Sequence, residues 1–131
     1  RNKMKTIIVE DDYGFPKEEF KRTIAVDFDH TIAEVDKDYN ILGLKHGAKE
    51  ALEKLREKYE VVIFTGRNSP TVKDSEEKLN EVETFLDNEG VWYDRIARAE
   101  EGKIPAEFYI DDRAVEFKDN WDEVVERVLG K

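Results

Sequence analysis

The sequence predicts one α/β domain built on a mostly parallel, doubly wound sheet flanked by helices. Near-continuous apolar runs at residues 23–26, 61–64 and 108–110 read as buried parallel strands, because a strand covered on both faces loses the polar alternation of a half-exposed one. Segments of helical spacing separate these runs, as a βαβ arrangement requires. Each run stops abruptly at polar residues: Asp27-Phe28-Asp29, Thr65-Gly66-Arg67 and Asp111-Asp112. Ligands of open α/β sheets collect at the carboxyl ends of the strands, which is where all three clusters fall.

The individual elements follow in order. Residues 6–9 form a short candidate strand, and the turn formers Asp11, Asp12, Gly14 and Pro16 come next. The stretch 1–22 is expected to add an edge strand or lie as an extension. A helix is expected over 47–59, with Ala48, Ala51, Leu52, Leu55 and Tyr59 on one face. A second opens at Asp74, with Glu77 as its capping-box partner. It carries Leu79, Val82, Phe85 and Leu86 inward and stops at Gly90. Residues 91–96 read as extended. The last helix starts at Asn120, pairs it with Glu123, and is expected to bury Trp121, Val124, Val125, Val128 and Leu129.

At 131 residues the chain can bury a core without staples. It has no cysteine, which removes disulfides, thiolate metal sites and cysteine nucleophiles. No apolar run reaches the length of a membrane span, and the basic opening lacks the apolar core of a secretory leader, so a cytoplasmic location is expected. The formal net charge of −10 argues against stable duplex nucleic-acid binding, which calls for a basic face.

If the three strands are neighbours, Asp27, Asp29, Asp111 and Asp112 meet Thr65 and Lys103 in one crevice. Carboxylates that close cannot all stay ionised without a cation, and magnesium suits an oxygen site beside phosphate. Carboxylate, cation and hydrogen-bond donors together suit phosphoryl transfer through an aspartyl-phosphate.

Asp27-Phe28-Asp29-His30-Thr31 resembles the D-x-D-x-T signature of the haloacid dehalogenase-like phosphatases. Phe64-Thr65-Gly66-Arg67 resembles their second motif, Lys103 their third and Ile110-Asp111-Asp112-Arg113 their fourth, in the family's order. The likeness covers about residues 23–129 and implies a Rossmann-like fold. It implies that Asp27 is the nucleophile and Asp29 the acid and base, with Thr31 bracing the Asp29 loop. Thr65 and Lys103 would bind the phosphoryl oxygens, and Gly66 and Arg67 would face the substrate. Mg2+ would sit on Asp27, Asp111, Asp112 and the Asp29 carbonyl. The family most often has glycine at position 30, where this chain has His30.

Only residues 33–45 and 68–101 fall at the two points where relatives insert a cap. The first is long enough for a flap hairpin, and the second is used up by one helix and one short strand. A capless, open site implies a bulky phosphomonoester, a nucleotide or a polynucleotide end, unless a second copy in a homo-oligomer supplies a lid. A sugar phosphate and a non-catalytic phosphate-binding module are the alternatives. Ile7-Ile8-Val9-Glu10-Asp11-Asp12 also resembles the opening of a receiver domain, but the strand at 61–64 ends in Thr65 where that family needs an aspartate.

Overall fold

The computed structural model describes residues 6–130; the basic opening at 1–5 and residue 131 lie outside the described residues. The chain runs β1 (Thr6–Glu10), β2 (Pro16–Phe20), β3 (Arg22–Asp27), β4 (Ala33–Val35), β5 (Ile41–Leu44), α1 (Ala48–Leu55), β6 (Tyr59–Phe64), α2 (Ser75–Glu89), β7 (Arg95–Ile96), β8 (Phe108–Ile110) and α3 (Trp121–Leu129). Four strands make a parallel sheet in the order β7-β6-β3-β8, and β1-β2 and β4-β5 are separate antiparallel hairpins. The N-terminal strand is therefore half of an extension, not an edge of the main sheet. No helix among the described residues is long and apolar enough to cross a membrane.

Strand order decides where the helices go. The chain moves from β3 to β6 to β7 in one direction, so two right-handed crossovers place α1 and α2 on the same face. There Leu52, Val82 and Leu86 close over Ile24, Val26, Val61 and Ile63 in the main core, with Phe28 fully buried among them. The return from β7 to β8 crosses on the opposite face. It carries only a 3₁₀ turn, Ala99–Glu101, and covers Ala25 and Val62 with Ala97 and Ile104.

That thin second layer corrects three expectations. The sheet is not doubly wound by helices, because the described return crossover contains none. β8 is an edge strand with Phe108 59% exposed, not a buried central one. The apolar stripe of α3 is uncovered as well, with Trp121 67% and Leu129 77% exposed. Trp121 meets Phe117, their ring centroids 5.0 Å apart. A continuous apolar run reports what a segment avoids, and not what covers it.

The capping expectations divide. Gly90 ends α2 in the left-handed region at φ 68°, the conformation glycine adopts at least cost. Asp74 precedes α2 at φ 59° and makes no side-chain cap, since an N-cap needs extended backbone to aim its oxygen at the first turn. Asn120 does reach Glu123, Nδ2 to Oε2 at 3.1 Å, but its own oxygen accepts from the Lys118 N–H and leaves α3 uncapped.

Asp94 ties the segment entering β7 to β6. Its buried carboxylate accepts from the Val61 N–H at 2.7 Å, and its own N–H donates to the Val61 carbonyl at 2.9 Å. Replacing Asp94 by alanine strands a buried donor, and urea unfolding of that variant is expected to show a loss of about 2 kcal/mol.

Candidate active site

Register assembles the site. Asp27 closes β3 opposite Phe64, so Thr65 follows directly at its side. On the other flank Val26 pairs with Ile110, which sets Asp111 and Asp112 just beyond the same sheet end. One carboxylate oxygen from each of Asp27, Asp111 and Asp112 lies within 4.8 Å of the others, a spacing at which a metal ion could be held. A cleft of about 210 Å³ opens over them, lined also by Asp29, His30, Tyr39, Gly66 and Arg113.

The cluster is electrostatically costly. Burial pushes the Asp27 carboxyl up to about 7, helped by its hydrogen bond with Asp112 and by the charges of Asp111 and Asp112, while Thr31 pulls the other way. Burial also acts upward on Asp112, but hydrogen bonds with Asp27 and Asp111 and the nearby His30 outweigh it and hold Asp112 below the usual carboxylate range. Asp27 is the deeper of the two, so burial weighs more heavily on it.

Asp29 sits apart from this group. Its Oδ1 accepts from Arg67 Nε at 2.9 Å and pairs with Arg67 Nη2 at 2.8 Å, while Oδ2 receives only a long contact of 3.5 Å from Thr65 Oγ1. The Thr65 hydroxyl also accepts from the Arg67 N–H at 3.1 Å, which starts the 3₁₀ turn Gly66–Asn68. A Cβ added at Gly66 would meet nothing within 4 Å, so that wall of the cleft is open.

The sequence-predicted residues thus separate into groups. Asp27, Asp111 and Asp112 come together, and Asp29, Thr65 and Gly66 stand at the same mouth. Thr31 donates to Asp27 Oδ2 at 3.3 Å, so it braces the first aspartate and not the Asp29 loop. Arg67 was expected at the rim facing substrate, yet it is 5% exposed and held by Asp29 and the Tyr39 carbonyl, the latter at 2.7 Å. It therefore fixes the Asp29 carboxylate in place and does not face the cleft's mouth. Lys103 does not join the acids: its ammonium lies 4.7 Å from the centre of the Tyr109 ring, in a pocket it shares with Asp111. It forms no ion pair among the described residues.

The motif reading noted His30 but not its backbone, and it missed Tyr39. His30 sits at φ 65°, a left-handed conformation that costs a non-glycine residue about 1 kcal/mol and explains why glycine suits this position. Tyr39, at φ 63°, crowns the β4-β5 hairpin and borders the cleft. The Asp36-Lys37-Asp38-Tyr39-Asn40 string carried the signal, since aspartate and asparagine fold tight turns through their side chains.

A raised Asp27 value has a definite consequence for stability. The folded chain holds a proton that the unfolded chain releases near 3.8, so without a cation stability falls as pH rises from there to about 7. Asp27→Asn removes that cost. In chelator its melting temperature is expected to exceed the parent's at about pH 8, and to match it at about pH 4, by differential scanning calorimetry.

Among solved structures the chain is similar to a conserved protein coded by a locus of Bacteroides thetaiotaomicron, with TM-score 0.56 and 26% identity over 84% of this chain and 91% of that one. No family model matches the chain, and no curated protein matches it.

Proposed function

We propose that the chain is a magnesium-dependent phosphomonoester hydrolase with a haloacid dehalogenase-like fold, acting through an aspartyl-phosphate on Asp27. The observation that carries the reading is the trio of carboxylate oxygens from Asp27, Asp111 and Asp112 within 4.8 Å of one another at the sheet's carboxyl end. The donor set fits the cation: three hard oxygens with no sulfur or imidazole among them, one on a carboxyl pushed up to about 7 by burial and by its two acidic neighbours. Bound there, Mg2+ would neutralise the phosphate's charge enough for an anionic nucleophile to approach.

The chain's own residues divide the chemistry. An Asp27 oxygen attacks phosphorus, the bond from phosphorus to the leaving oxygen breaks, and that oxygen takes a proton from Asp29. Water then attacks the aspartyl-phosphate and gives its proton to Asp29; the bond between phosphorus and Asp27 breaks, and inorganic phosphate leaves. Arg67 anchors Oδ1 of Asp29 and leaves Oδ2 as the oxygen free to exchange protons. Lys103, with no acidic partner among the described residues, is the cation available for the phosphoryl oxygens.

Turnover of para-nitrophenyl phosphate tests the reading. Asp27→Asn is expected to lower kcat by about a thousandfold or more while circular dichroism stays unchanged, and removing magnesium with chelator should silence the parent reversibly. Undiminished turnover in either case would remove the mechanism.

A further inference from the structure

The reaction cleft does not end at Asp29. A side pocket of about 390 Å³ opens from the same wall, sharing Asp29, Tyr39 and Gly66 with the cleft and continuing to Arg67, Val72, Lys78 and Asp38. None of the three clustered carboxylates borders it, so it lies on the far side of Asp29 from the cation-binding corner. The group that protonates a leaving oxygen has to face that oxygen. Whatever is attached to that oxygen needs room that borders Asp29, and this pocket borders it.

Its walls specify what fits. The volume is that of a site for a small organic molecule, larger than a bare phosphate needs. Tyr39, half exposed, stands at the junction of cleft and pocket. The tip that carries it is tightly folded: Asp36 Oδ1 accepts from the Asp38 and Asn40 N–H groups at 2.8 and 2.9 Å, and Arg67 holds the Tyr39 carbonyl at 2.7 Å. A pinned aromatic beside an apolar Val72 favours a planar ring over a flexible chain. Lys78 lines the pocket with Asp38 and supplies an ammonium that has no ion-pair partner among the described residues. Arg67, by contrast, already spends its charge on Asp29 and, at 3.9 Å, on Glu81.

We propose that this side pocket is the leaving-group subsite, and that it takes a nucleoside-sized, ring-bearing alcohol carrying a second negative charge, with the ring on Tyr39 and the charge on Lys78. The proposal rests on the phosphatase reading for the identity of the cleft. It goes further in naming the substrate class.

Three probes separate its parts: glycerol phosphate, a nucleoside monophosphate and a nucleoside 3′,5′-bisphosphate. Lys78→Gln is expected to raise KM about tenfold more for the bisphosphate than for the monophosphate, the loss of one charge-assisted contact. Tyr39→Ala is expected to raise KM about tenfold more for either nucleotide than for glycerol phosphate, the loss of one stacking contact. Equal effects on all three probes would overturn the subsite and leave the phosphatase reading standing. Calorimetric binding of the bisphosphate to Asp27→Asn in magnesium reads the subsite without turnover. There, a dissociation constant that Lys78→Gln leaves unchanged would overturn the proposal even if no ester were hydrolysed.

Discussion

Parallel pairing of β3 with its two neighbours sets the conditions for everything at the sheet's end. With Val26 opposite Ile110 and Asp27 opposite Phe64, the chain has no freedom to keep its acids apart. Asp27 is half-buried and crowded by Asp111 and Asp112, and burial first, then that crowding, pushes its carboxyl up to about 7. Crowded carboxylates cost stability where they must ionise, and under the proposed function a bound cation would offset that cost. The proposed chemistry is one use of that corner, because a phosphate ester needs the same charge neutralised before a carboxylate can approach it.

Arg67 is the second organising charge. One guanidinium spans the Asp29 carboxylate, the Tyr39 carbonyl and the edge of Glu81, so it joins the loop after β3 to the β4-β5 hairpin. It is buried against the ring of Phe28, 5.7 Å from its centre, which leaves it little room to swing toward a substrate. The same side chain thus fixes both Asp29 and the hairpin tip that borders the side pocket.

Much of this was legible in the chain. The strands ending at Asp27, Phe64 and Ile110 were read from their apolar runs, and their order placed the acids at one end. The flap hairpin followed from the length of 33–45 at the point where the resembled family inserts a cap. Layering was not legible. The run at 108–110 and the stripe through Trp121, Val125 and Leu129 have the composition of buried faces, yet both are exposed, because the turn-only crossover before β8 builds too thin a second layer. Side-chain assignments within the site were equally hidden. Motif spacing puts Thr31 and Lys103 beside the acids and Arg67 at the rim, but only packing decides that Thr31 reaches Asp27, Arg67 turns inward and Lys103 lies over Tyr109.

The account stands on a cation held between Asp27, Asp111 and Asp112, and manganese, a close chemical stand-in for magnesium, makes that visible. Crystals soaked in manganese should give a strong anomalous peak within coordination distance of all three carboxylates, and the peak should vanish in Asp111→Ala combined with Asp112→Ala. A well-ordered corner without such a peak would contradict the account at its base.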